Sequence, residues 1–376
     1  MRVALVAPRF HPVTGGIETH LEEVGVRLLA RGHEVTVHVA ALDDKGAPLP
    51  PEGEHRGLRI RRYKPSFRLG YYSTLFKPDL AGADVIHLHA YAHLTNDWAI
   101  RRYAGSGKRL FLTTHHGFAF PTPGLVNTVY HGLYNRFLGM PNLRRLTAVI
   151  PMTGYDRDLL LKRGFPAERV HVVPNGVPDA AFTPGNPGSG RALAGIESYV
   201  LFLGRLHPEK RPLAALSAFS ALADRVPGLG LVFAGPDQGE EPRLRREAQE
   251  EELADRVRFL GKVTEDQKRD LLAGCRLLVL PSLHEGQGIV LIEAWAQGRP
   301  VVATRVGGVP YTVEDGIDGL LATLGDEEDL GRKMELLARH PDKGAAMGEA
   351  GRRKAWAQYR WDRIVEDLER LYRGEA

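Results

Sequence analysis

The sequence predicts an α/β protein of two parallel-sheet domains, because strand-like apolar runs alternate with helical periodicity in both halves and a Pro/Gly-rich stretch separates them. At 376 residues, two domains are also the ordinary expectation from size. The first half opens with Val3, Leu5 and Val6 as a strand and breaks at Thr14-Gly15-Gly16. Leu21, Val24, Leu28 and Leu29 then recur at helical spacing, Gly32 ends the helix, and VTVHV follows as the next strand. The theme repeats at VIHLH (85–89), LFLTTH (110–115) and AVIPM (148–152). Such alternation implies parallel strands covered on both faces.

From Val173 to Gly190 the chain turns rich in Pro and Gly and loses periodic apolar residues, as a linker does. The expected domains are therefore 1–180 and 181–355, with 356–376 as a C-terminal helix packing near the domain junction. That helix is read from Trp356, Tyr359, Trp361, Ile364, Leu368 and Leu371, in an amphipathic stretch starting at Arg352. The second half starts over with YVLFLGRL as a strand and LAALSAFSAL as a helix. GLVFAG (230–235), VRFLG (257–261) and LLVLPS (277–282) are its further strands. Open α/β sheets bind ligands beyond the carboxyl ends of their strands, so a cleft between two such sheets is the expected site.

Hydrophobic residues make up 43% and charged residues 26%, average for a soluble globular chain, and no run approaches the roughly 20 apolar residues of a bilayer span. No secretory signal pattern opens the chain, and the single cysteine, Cys275, excludes internal disulfides, so a cytoplasmic location is expected. Residues 1–190 hold 23 Lys and Arg against 15 Asp and Glu, while the remainder hold 27 against 31. The densest basic stretch, Leu58–Lys77, interleaves Arg59, Arg61, Arg62, Lys64, Arg68 and Lys77 with Tyr63, Phe67, Tyr71, Tyr72 and Phe76. It reads first as a solvated strand and loop with aromatics in the core, and second as a face for an anionic lipid surface at the inner side of the cell membrane or for an anionic acceptor. No groove-reading motif accompanies it, so nucleic acid is not an expected partner.

The strongest chemical signal is HEGQGIVLIEAWAQG, residues 284–298. Gly286 and Gly288 leave backbone amides approachable, and the helix starting near Gly288 offers unpaired N–H groups and a partial positive charge to a phosphate. Glu285 precedes that start and Glu293 lies about 7 Å along the helix, so two carboxylates flank the anion seat. A diphosphate over Gly288, Ile289 and Val290 would direct a sugar toward Glu285 and a ribose toward Glu293. The competing reading is a plain strand-turn-helix with two solvated carboxylates, and the two glycines between them argue against it.

GRLHPEK (204–210) follows the first strand of the second half and supplies Arg205 for bidentate phosphate contact and Lys210 as a point charge. Both would stabilise a departing nucleoside diphosphate, although a basic loop after a strand is common by itself. In the first half, PVTGGIE (12–18) offers Gly15 and Gly16 for close approach to a diphosphate or an acceptor; a tight turn needing small residues is the plainer alternative. It is not the GxGxxG dinucleotide fingerprint, which argues against a dehydrogenase.

Along nearly its whole length the chain resembles the family 4 glycosyltransferases. The resemblance rests on PVTGGIE, DVIHLH, TTHHGF, VVPNGV, FLGRLHPEK, FLGKV and EGQGIVLIE, and most specifically on the E-x7-E spacing of Glu285 and Glu293. It implies a GT-B fold, with two Rossmann-like domains whose parallel sheets face across a cleft. It also implies a retaining transfer of a hexose-like sugar from a nucleotide-diphosphate sugar to the hydroxyl of a glycan, lipid-linked or small-molecule acceptor. No cofactor or metal is implied, because Arg205, Lys210 and the helix start neutralise charge. Glu293 would hold the ribose, Glu285 the donor sugar, and Lys262 with Val263 would border the base. The family's first-domain histidine matches twice: T-x-H-G selects His116, the preferred one, and T-H-x-G selects His115.

Asp156-Arg157-Asp158 spells the D-x-D of metal-using transferases, but an aspartate early in a helix more simply complements the dipole. His87, His89, His93, His115, His116 and His131 could suggest zinc, yet no cysteine or H-E-x-x-H accompanies them. Two other functions are open to such a chain. A sugar-nucleotide epimerase would convert donor without an acceptor, and a non-catalytic nucleotide-binding module would bind without turnover.

Overall fold

The computed structural model describes residues 1–69, 73–115 and 132–375. The chain divides into two compact units, Met1–Asn175 with Trp361–Ala376, and Gly176–Arg360.

Unit 1 is built on a seven-stranded sheet in the order β3-β4-β2-β1-β7-β8-β9. Its strands are β1 (Arg2–Val6), β2 (Glu34–Ala40), β3 (Glu52–His55), β4 (Leu58–Tyr63), β7 (Val85–His89), β8 (Arg109–Thr113) and β9 (Ala148–Ile150). All neighbours run parallel except β3 and β4. A short antiparallel pair, β5 (Phe67–Leu69) and β6 (Ser73–Leu75), stands apart. Successive side chains of β1 enter opposite cores: Val3 and Leu5 pack with Leu21, Val24 and Leu28, whereas Ala4 and Val6 pack with Ile86, Leu88 and Leu110. This two-sided burial is why the strands read as continuous apolar runs.

Unit 2 carries a six-stranded, all-parallel sheet in the order β12-β11-β10-β13-β14-β15. Its members are β10 (Ser198–Leu203), β11 (Leu229–Ala234), β12 (Val257–Phe259), β13 (Leu277–Leu280), β14 (Val301–Thr304) and β15 (Gly319–Ala322). Strand order reverses beside β10, between it and β13, and in doubly wound sheets ligands bind beyond the strand ends at such a point.

Two expectations are altered. The amphipathic stretch from Arg352 is not one helix: Pro341–Gln358 closes unit 2, and a separate helix, Trp361–Arg373, belongs to unit 1. Between them Tyr359 leaves helical geometry (φ −119°, ψ 12°) as its carbonyl accepts from Val177 N at 2.7 Å. That bond also explains why the division falls at Asn175–Gly176 and not at 180, since Val177 already shares the core of Trp295 and Leu291. The last helix buries Trp361, Ile364, Val365 and Leu368 against Leu21, Val24 and Leu28 of the helix Gly16–Ala30. Each such side chain contributes roughly 1.5–3 kcal/mol. Arg27 to Asp362 (2.9 Å) and His33 to Glu369 (3.0 Å) border that seam.

The basic stretch resolves into separate roles. Leu58 and Ile60 point into the core while Arg59 and Arg61 point out. Arg62 is buried, donating to the carbonyls of Pro50, Glu52 and His11, so it braces loops. Phe76 is fully buried and Phe67 is half exposed; Tyr71 and Tyr72 lie outside the described residues.

Candidate functional site

β13 ends at Leu280, before Pro281, which cannot extend a ladder as a donor, and the chain turns through Ser282 to Gly288. Gly288 takes the left-handed conformation (φ 78°, ψ 59°), where a Cβ would stand 2.8 Å from Leu291 Cδ1. It caps the helix Ile289–Ala296, whose first amides, Ile289 and Val290, precede any i→i−4 partner. Ile289 is exposed and Val290 half-buried, whereas Leu291, Ile292 and Trp295 are fully buried. A Cβ on Gly286 would meet nothing within 4 Å, so no protein contact demands glycine there.

Glu285 is gripped on three sides. Its Oε2 accepts from Lys210 Nζ at 2.6 Å and from Ser282 Oγ at 3.2 Å, and its carbonyl accepts from Gly308 N at 3.0 Å. Gly307 adopts φ +49°, and a Cβ there would fall 2.2 Å from the Glu285 carbonyl oxygen. Only glycine permits that approach. Ser282 is set in turn by Thr304 Oγ1, which donates to its carbonyl at 2.6 Å.

Lys210 sits on the GRLHPEK loop, which Leu283 N ties to the Glu285 loop by donating to Glu209 O at 2.8 Å. Arg205, half exposed, donates to Gln238 Oε1 at 3.1 Å and approaches Glu209 at 4.0 Å. Glu293 is 14% exposed at its side chain and accepts from Lys268 Nζ at 2.6 Å. Burial raises its pKa and Lys268 opposes the rise. Lys262 is exposed and Val263 half-buried, directly before the capping box of the helix Glu265–Gly274.

In unit 1, Gly15 and Gly16 lie exposed at the start of the helix Gly16–Ala30; a Cβ on Gly16 would meet nothing within 4 Å. His116, Gly117 and His131 lie outside the described residues. His115 is buried, at φ +51°, with Nε2 3.0 Å from His89 Nδ1. His20, absent from the histidines weighed in the sequence, joins them: ligand atoms of His20, His89 and His115 lie within 4.8 Å of one another. That spacing suits a metal, because three histidine nitrogens can hold zinc and leave a fourth position open. Burial lowers the His20 pKa to about 4 and the His89 pKa well below the usual imidazole range. His87 is a core residue, bonded to Tyr372 OH at 2.5 Å and Thr113 Oγ1 at 2.8 Å. Asp156 lies in the first turn of the helix Gly154–Lys162, beside Thr153 Oγ1 at 3.5 Å, and Asp158 pairs with Arg157.

Known proteins match this chain end to end. Residues 14–181 fit the model of Glycosyltransferase Family 4 and residues 192–354 that of Glycosyl transferases group 1. The D-inositol 3-phosphate glycosyltransferase of Mycolicibacterium smegmatis is 29% identical, over 98% of this chain and 89% of its own. A GDP-mannose-dependent α-(1-6)-phosphatidylinositol monomannoside mannosyltransferase of Mycobacterium tuberculosis is 30% identical, over 100% of this chain and 98% of its own. The chain belongs to the family 4, group 1 glycosyltransferases. HepE of Anabaena, solved with UDP, shares the fold over 100% of both chains at a TM-score of 0.76 and 18% identity. The glycosyltransferase thus has the GT-B fold expected from its motifs.

Among the residues the sequence singled out in this glycosyltransferase, Lys210 and Glu285 are in direct contact, and Gly286, Gly288, Ile289, Val290 and Glu293 continue the same turn and helix. Arg205 lies on the same loop as Lys210 but bonds Gln238. Ser282, Lys268, Gly307 and Gly308 were not among them. The GG dipeptide after β14 was the available signal for the last two, while nothing local marks Lys268.

Proposed function

We propose that the enzyme transfers a hexose-like sugar, with retention, from a nucleotide-diphosphate sugar to an acceptor hydroxyl. The observation that carries this is the Lys210–Glu285 contact at the open start of the helix Ile289–Ala296. A cation, a fixed carboxylate and helix-start amides there offer partners for a diphosphate and a sugar hydroxyl together. Lys210 and Arg205 stabilise the leaving diphosphate as its charge develops, and no metal is needed for that step. Glu285 holds the sugar, Glu293 the ribose, and Lys262 with Val263 border the base. No covalent nucleophile is assigned; the leaving phosphate can take the acceptor proton. His116 keeps the role the resemblance implies, reaching the reacting sugar, with Gly15 and Gly16 near donor or acceptor.

Relatives point to the partner classes. HepE was solved with UDP, and the mycobacterial mannosyltransferase is named for GDP-mannose and a phosphatidylinositol mannoside. A lipid-linked acceptor is compatible with the exposed Arg59, Arg61, Lys64, Phe67 and Arg68, and with such an acceptor our reading is of a peripheral protein at the inner face of the membrane. No helix of the described residues is long and apolar enough to cross a membrane. Co-sedimentation with anionic liposomes at low but not high salt tests that attachment.

The reading itself is tested by thermal shift with UDP, GDP, ADP and dTDP. A nucleotide at about 100 times its Kd adds roughly 2.7 kcal/mol, and the responding base names the donor. If none of the four stabilises the protein, the proposed seat is wrong.

A further inference from the structure

Lys268 projects from the helix Glu265–Gly274 onto the carboxylate of Glu293, its Nζ 2.6 Å from Oε1. The pair is largely withdrawn from water, with side-chain exposures of 21% and 14%. A cavity of about 50 Å³, room for one or two waters, adjoins it and is walled by Leu272, Pro178, Ala180 and Ala181. The strands nearest Glu293, β13 and β14, are LLVL and VVAT and bring no charge. The turn Asp179–Phe182 brings Asp179, which is exposed, and the helix Pro341–Gln358 brings Lys354, which faces Trp295 and pairs with Asp318. On the helix Glu265–Gly274 itself, Arg269 bonds Asp266, and Glu265 reaches Lys268 at 2.7 Å from an 83% exposed side chain.

A carboxylate so placed has a strong reason to take up a proton, because burial penalises its charged form. Protonated, it would present one O–H donor and lose acceptor capacity, whereas an ionised carboxylate accepts about four hydrogen bonds and can serve a diol while still bonded to lysine. From this geometry we propose that Lys268 is a positioning residue of the donor site: it keeps Glu293 ionised and oriented so that both oxygens can accept from ribose hydroxyls. The proposal rests on the reading of Glu293 as the ribose ligand. A merely structural ion pair would stabilise the fold without tying nucleotide affinity to pH.

The test is calorimetric titration of the full chain with UDP, GDP and ADP at several pH values between about 5 and 8, taking each variant relative to wild type so that titration of the nucleotide cancels. Glu293→Gln is expected to weaken the binding nucleotide about tenfold with little further dependence on pH. Lys268→Met should be near wild type at the alkaline end and lose affinity as pH falls, because an unopposed buried carboxylate protonates at higher pH. Lys268→Arg should restore the wild-type profile, and Lys268→Gln serves where the methionine variant does not fold. Wild-type affinity in Glu293→Gln would remove the ribose reading on which this stands. A weakened Glu293→Gln beside a Lys268→Met or Lys268→Gln that follows wild type at every pH would overturn the role of Lys268 alone.

Discussion

Lys210 Nζ stands 2.6 Å from Glu285 Oε2, across 75 residues of sequence. The contact joins the loop after β10 to the loop after β13, the two strands between which the order of the unit 2 sheet reverses. A cation is thereby set against a carboxylate where neither is fully solvated, with side-chain exposures of 20% and 15%. Each alone would lack its partner, so the two act as a unit.

Removal of either partner should therefore cost more than a surface charge would. Lys210→Ala, Glu285→Ala and Arg205→Ala are each expected to lower donor turnover by about 10²–10³-fold. The Lys210→Ala/Glu285→Ala double variant should lose less than the product of the two single effects, because the contact is counted in both. Steady-state kinetics on the four proteins checks this, and wild-type rates in all three single variants would dismiss the proposed site.

Gly307 is the backbone prop of Glu285. Gly307→Ala places a methyl 2.2 Å from the Glu285 carbonyl oxygen at a left-handed φ of +49°. The loop must move, so kcat should fall by about 10²-fold for an ångström of displacement while circular dichroism stays that of wild type. Unchanged kinetics would mean that the carbonyl contact does not position the carboxylate.

Acid should unfold unit 1 before the carboxylates alone would predict. Burial holds His20, His38 and His93 near a pKa of about 4 when folded, against 6.5 as the ordinary value. The unfolded chain therefore binds more protons, and stability present above about 6.5 drains away as pH falls toward 4, by up to about 3 kcal/mol per residue. His20→Gln removes one of these groups, so its melting temperature should fall less than that of wild type between about pH 7 and 5. Parallel slopes would show that His20 does not contribute.

Chelation separates charge neutralisation by side chains from neutralisation by metal. Turnover in excess EDTA is expected to equal that of untreated enzyme, since Arg205, Lys210 and the helix start are assigned the diphosphate charge. A loss restored by added divalent cation would reject that assignment and bring Asp156, Asp158 or the His20, His89 and His115 group into consideration.

Much of this is legible in the sequence itself. VIHLH coincides with β7, LLVL lies within LLVLPS, and the helix from Ile289 starts where Gly288 announces it, because a buried parallel strand and a glycine-capped helix have local signatures. The acidic spacing of Glu285 and Glu293 was legible for the same reason. Lys268 was not: a lysine in an exposed-looking EDQKRD run carries no sign that its ammonium turns inward onto Glu293. His20 reads as one polar position of an amphipathic helix, and only the meeting of that helix with the ends of β7 and β8 brings it to His89 and His115.

By itself, then, the sequence determined the alternation of strands and helices, the glycine-capped helix start at Gly288, the paired acidic residues and the family. Tertiary structure decided which cation meets which carboxylate, that Gly307 props Glu285, and that the last helix returns to the first unit. The reason is range. Periodicity, capping and turn chemistry act over a few residues and leave local traces, whereas a 2.6 Å contact between residues 210 and 285 depends on how two strands align in one sheet, which no short stretch of chain encodes.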